Sequence, residues 1–133
     1  MTDIEVIHAY RHLWRGLLHA VQFSTPARYI ARDRIRKAFR EETKLDTRSV
    51  NRTVRFLEAA ARMRGLEHTI VKNMMLTGYY RYFDSRIPWK NYEQTLDRPK
   101  KARGLEAHLK DTSYKHYDMT IAMLNKSMGL CLR

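Results

Sequence analysis

Four arginines recur at four-residue spacing in ARYIARDRIRKAFRE, residues 27–41: Arg28, Arg32, Arg36 and Arg40. On a helix that spacing stacks them on one face, with Arg34 and Lys37 alongside. Like charges so placed weaken a helix by roughly 0.2–0.5 kcal/mol per pair. What such a ladder offers chemically is anion recognition, because a guanidinium forks onto a carboxylate or phosphate better than an ammonium does. Two readings follow. Either the ladder is a solvated face partly neutralised by Asp33 and Glu41, or an acidic partner lies along it.

Catalytic signatures are scarce by comparison. No Gly-rich phosphate loop, paired-Cys metal motif, HExxH or GxSxG is present. His8 and His12 stand four apart, as metal ligands on a helix can, but Arg11 and Arg15 among them favour two exposed polar side chains. Cys131 is the single cysteine, which excludes an intramolecular disulfide and fits a reducing compartment. It reads as an incidental thiol rather than a nucleophile. These observations argue against an enzyme and lead to the expectation that no metal is bound.

The elements that would carry the ladder are helical. The chain has 133 residues, 44% of them hydrophobic, with only five Gly and three Pro and no convincing strand alternation. One all-α domain with a modest core is the expectation. A net charge of +12 implies attraction to a polyanion: nucleic acid, an acidic protein or an anionic membrane. No apolar run approaches the ~20 residues of a membrane span. A first helix is expected to about Val21, with Thr2 and Glu5 at capping-box spacing and Ile7, Tyr10, Trp14, Leu17, Leu18 and Val21 as its apolar stripe. Its other face is basic: His8, Arg11, His12, Arg15 and His19. Basic, amphipathic and with only Asp3 and Glu5 acidic, it has the character of an uncleaved mitochondrial address. Thr25 and Pro26 read as N-cap and first residue of the arginine helix, which ends near Glu42. Asp46 or Thr47 caps a long third helix over 48–76, whose inner side is Val50, Val54, Leu57, Ala61, Met63, Leu66, Ile70 and Met74. Gly65 would kink it, and Gly78 would end it as a left-handed cap.

After residue 78 the style changes. YYRYFDSRIPWKNYEQTLDRPKKARG mixes rings and cations without a period, and a last helix over 111–128 places Tyr114, Tyr117, Ile121 and Leu124 on one side before Gly129. This suggests a three-helix domain over 1–78 and a C-terminal extension over 79–133. Arg81, Arg86, Trp89, Lys90, Arg98, Lys100, Lys101 and Arg103 are candidate RNA contacts, since cations neutralise phosphates and rings stack on unpaired bases. An extension that packs on its own bundle or on another protein explains the same residues.

Two stretches, AYRHLWR at 9–15 and RIRKAFREETKLD at 34–46, resemble the LYR-motif family of small mitochondrial three-helix proteins. Tyr10 and Arg11 match the motif's Tyr and Arg, Arg15 its downstream Arg, and Ile35, Arg36, Phe39 and Arg40 its second-helix signature; Ala9 replaces the usual Leu. The resemblance spans about residues 4–76. It implies an antiparallel three-helix bundle in the mitochondrial matrix that binds mitochondrial acyl carrier protein. Arg11, Arg15, Arg32, Arg36, Lys37, Arg40 and Lys44 would meet the carrier's acidic helix. The carrier's 4'-phosphopantetheine-linked acyl chain would enter the core beside Tyr10, Trp14, Ile35 and Phe39, with no cofactor bound directly. High basicity and the ring-and-cation extension point to the mitochondrial ribosome or its assembly intermediates as the docking assembly. The alternatives are an accessory subunit or assembly factor of a respiratory-chain complex, and an RNA-binding structural protein that never meets the carrier.

Overall fold

A computed structural model describes residues 3–41, 46–84 and 100–132. It is all-α. In chain order the helices are α1 (Asp3–Ala20), α2 (Ala27–Glu41), α3 (Thr47–Arg62), α4 (Leu66–Asp84) and α5 (Lys100–Met128).

α1 and α2 form a hairpin. Between them Gln22 and Phe23 adopt left-handed backbone with φ of 53° and 54°, a conformation that costs an L-residue roughly 1–2 kcal/mol. The turn is closed by the Ser24 hydroxyl, which donates to the Val21 carbonyl at 2.7 Å. Helix α2 begins at Ala27, one residue after Pro26, and the carbonyls of Ser24 and Pro26 accept the amides of Arg28, Tyr29 and Ile30. Asp46 is the N-cap of α3, its carboxylate accepting from the amides of Arg48 and Ser49. The pairing expected of Thr2 lies outside the described residues.

The core is assembled from short side chains that let the helices approach. Ala9, Leu13 and Ala20 of α1, Ala31 and Ile35 of α2, and Val50, Phe56, Leu57 and Ala60 of α3 are buried, with Tyr10, Trp14, Leu17 and Phe39 packed around them. The stripe on α1 is therefore centred on Ala9 and Leu13, and Ile7 is exposed.

The long third helix is corrected. The chain breaks at Met63, whose backbone is extended, and α4 turns back so that Val71, Met74 and Met75 join the core. Met63 and Leu66, expected inside, are 73% and 76% exposed. A straight helix over 48–76 would run about 43 Å at 1.5 Å per residue, against about 27 Å for α1. It would carry its last apolar turns past the bundle into water. Position 78 lies within α4 and is no cap. A Cβ there would stand 2.9 Å from Cγ2 of Ile30, so glycine is needed where α4 crosses α2.

The last helix begins at Lys100 rather than near 111, and Tyr117, Ile121 and Leu124 pack on the core. Gly129, at φ 63°, ends it, and the Leu130 amide donates back to the Asn125 carbonyl at 3.1 Å.

Candidate anion-binding face and apolar cavity

Helix α2 exposes Arg36 and Arg40, and among the described residues neither has an ion-pair partner. The acids beside them serve other cations: Arg32 Nε reaches Asp33 at 3.1 Å, and Lys37 reaches Glu41 at 3.8 Å. The first two rungs of the ladder rest on an aromatic ring. Arg28 and Arg32 lie 4.8 and 5.5 Å from the centre of Tyr29, and Arg28 also donates to its hydroxyl at 2.8 Å. The ladder thus divides into a half stacked within the chain and a half open to a partner. Arg34 is different again. It turns inward and donates to the Met74 carbonyl at 2.7 Å, tying α2 to α4. Burial holds its pKa below the usual guanidinium value, opposed by the nearby Tyr117 hydroxyl.

The open half adjoins the hairpin contact between α1 and α2. Tyr10 and Phe39 meet edge to face with ring centroids 5.3 Å apart. Arg11 follows Tyr10 and Arg40 follows Phe39, so this contact brings the segments bearing Arg11, Arg15, Arg36 and Arg40 together, and Arg11 and Arg15 are also exposed.

Behind Phe39 lies a cavity of about 330 Å³. Most of its wall is apolar, from Leu13, Leu17, Ala31, Ile35, Val50 and Leu57, with Val71, Met74 and Met75 from α4, and Arg34, Asp46, Ser49, Thr53 and Asn125 add polar groups. Of the residues expected at an acyl pocket, Ile35 and Phe39 line it, while Tyr10 and Trp14 pack around the core outside its wall. Part of the wall comes from the segment after Gly129, to which the sequence pattern gives no role. Leu130, Cys131 and Leu132 turn inward after Gly129 and close one side. The signal was present as two leucines beyond a helix-ending glycine.

Arg81 is committed within the chain. It donates to Asp118 at 2.8 Å and to the Tyr114 carbonyl at 3.1 Å, and lies 4.6 Å from the centre of the Tyr114 ring. It therefore pins α5 to α4. Lys100, Lys101 and Arg103 occupy the start of α5. Lys44, Arg86, Trp89, Lys90 and Arg98 lie outside the described residues.

Among the described residues no group of three or more His, Cys, Asp or Glu is placed to hold a metal ion, and no helix is long and apolar enough to cross a membrane. No family model matches the chain, and no solved structure does. It is similar to the UPF0593 mitochondrial protein C806.05 of Schizosaccharomyces pombe, at 38% identity over 71 residues. The aligned stretch is 50% of this chain and 57% of that relative, so the chain spans little more than half of the relative's length.

Proposed function

We propose that the protein is a non-enzymatic adaptor of the mitochondrial matrix that binds acylated acyl carrier protein and docks it on a large assembly. The observation that carries this reading is the juxtaposition at Phe39. Exposed Arg36 and Arg40, without partners among the described residues, lie on the same helix as Phe39 and Ile35, whose side chains line a largely apolar cavity. An acidic helix would relieve the repulsion along α2, and its acyl chain would occupy the cavity. The apolar part of the lining fits a hydrocarbon, for which each buried CH₂ contributes about 0.8 kcal/mol. The similarity to a mitochondrial protein supports the compartment. The resemblance to LYR-motif proteins supports the carrier.

For the docking assembly we favour the mitochondrial ribosome or its intermediates, given the net charge of +12. One observation fits a respiratory-chain complex equally. Tyr79, Tyr80, Tyr82 and Phe83 meet edge-on or tilted at the end of α4 while Arg81 is tied to α5, an arrangement that suits protein docking as well as base stacking. Affinity purification from mitochondria, with mass spectrometry of protein and RNA together, tests both levels. Recovery of the carrier with ribosomal RNA is the expected result. Absence of the carrier would overturn the proposal, and carrier with respiratory subunits would move the assembly to the alternative.

A further inference from the structure

Helix α3 carries a second arginine row. Arg48, Arg52, Arg55 and Arg62 are all exposed, and on a helix they fall within about a quarter turn of one another. Val50, Thr53, Leu57 and Ala60 are buried on the opposite side. From first to last the row runs about 21 Å at 1.5 Å per residue. Among the described residues none of the four has an ion-pair partner. The acids nearby leave the row cationic, since the Asp46 carboxylate caps the helix and Glu58 stands at the flank.

Packing separates this row from Arg36 and Arg40. Helix α1 packs against α2 and α3, and α4 packs against the same two, so α2 and α3 stand at opposite corners of the bundle. A partner seated on α2 therefore leaves the α3 row uncovered. The chemistry of the row narrows what could cover it. Between Arg48 and Arg62 no large apolar side chain is exposed, and Met63 and Leu66 lie beyond the helix end. Protein interfaces are anchored by aromatic and aliphatic side chains, and membrane-surface helices by an apolar face. The row has neither, and it has no ring on which an unpaired base could stack. It is a straight line of charges on a rigid element, the complement of a phosphate backbone whose bases are already paired.

We propose that the α3 row binds the phosphate backbone of double-helical RNA without reading its sequence. The inference deepens the ribosome reading, on which RNA as the polyanion rests, by naming the face and the form of RNA it takes.

Fluorescence anisotropy of the full-length protein with labelled RNA duplexes about two turns long tests this. The wild type should bind duplexes of unrelated sequence equally, and more tightly than their separated strands. Gln at Arg48, Arg52, Arg55 and Arg62 should weaken duplex binding at least tenfold in low salt. It should also lower the slope of log affinity against log salt by about 2–4, at roughly 0.9 per phosphate contact. Helicity by circular dichroism should be unchanged. Lys at the same four positions should restore binding, because a phosphate accepts a point charge. Gln at Lys72, Lys110, Lys115 and Lys126 removes the same charge elsewhere and should change affinity by less than about threefold. Equal losses from the two Gln variants would show diffuse attraction and overturn the proposal, as would tighter binding to single strands or no duplex binding by the wild type. Loss of the arginine variant from a nuclease-treated mitochondrial assembly, with no duplex bound by the wild type, would assign the row to an acidic protein. Duplex binding through the row with no ribosomal RNA recovered from mitochondria would uphold the face and overturn the ribosome reading alone.

Discussion

Tyr10 and Phe39 meet edge to face, with ring planes at 87° and centroids 5.3 Å apart, and the residue after each is an exposed arginine. One contact thus joins the two helices of the α1–α2 hairpin and brings cation-bearing segments of both side by side. The packing is intramolecular, and the charges it gathers face outward.

Arg36→Glu with Arg40→Glu should abolish recovery of the carrier in a pull-down. Both side chains are exposed, so the fold should change by no more than about 0.5 kcal/mol. Helicity by circular dichroism should stay at the wild-type level. Carrier recovered in undiminished amount from the double variant would rule out α2 as the contact.

Two glycines within helices should respond oppositely to alanine. At an exposed helical site, Gly→Ala stabilises by about 0.5–1 kcal/mol. Gly104 has open space around it, so Gly104→Ala should raise the urea midpoint. Gly78→Ala would drive a methyl against Ile30, and overpacking of that kind costs about 1–3 kcal/mol. It should lower the midpoint, and adding Ile30→Ala should recover part of the loss. A stabilised Gly78→Ala would mean that α4 crosses α2 less closely than the structure shows.

Asp46 titrates below the ordinary carboxylate range, because the Ser49 hydroxyl and the Arg48 amide donate to its ionised form. A depressed folded-state pKa contributes stability above the unfolded value near 4, and that contribution disappears as pH falls through the folded value. Asp46→Ala should therefore melt below the wild type at pH 7. The gap between their melting temperatures should narrow steadily from about pH 4 downward. A gap independent of pH would show that the cap works without its charge.

Arg81→Ala should free α5 and leave the bundle standing. The substitution removes the donor to Asp118 and to the Tyr114 carbonyl together with the ring contact. Amide exchange should accelerate across α5 while α1 and α3 keep their protection. Uniform acceleration would indicate that α5 and the bundle unfold as one unit.

If the segment around Trp89 and the basic run at 98–103 contacts RNA, each neutralised phosphate contributes a slope of roughly 0.7–0.9 in log affinity against log salt. Replacing Arg98, Lys100, Lys101 and Arg103 with Ala should flatten that slope. Trp89→Ala should cost about 1–3 kcal/mol at every salt concentration if the ring stacks on a base. Association that survives nuclease treatment would assign the segment to protein docking.

The all-α class, the α1–α2 hairpin, the Asp46 cap and the Gly129 stop were legible in the residues alone. Each is a local matter of period, capping atoms or a positive φ, and the information lies within a few positions. The outward setting of Arg36 and Arg40 was legible for the same reason, as the opposite side of an apolar stripe. What tertiary packing decided is everything that depends on where distant segments meet. Gly65 marked a weak point between 48 and 76, where the chain does break over 63–65, but nothing in that stretch shows that α4 folds back there. That follows from the need of Val71, Met74 and Met75 for apolar neighbours, which α4 finds against α2 and α3. Gly78 looked like a helix end because glycine often is one; only the crossing with Ile30 gives it a different purpose. Arg34, Arg36 and Arg81 are alike as letters. The fold buries one against Met74, leaves one open and clamps one to Asp118, because charge is placed by its surroundings and not by its residue type.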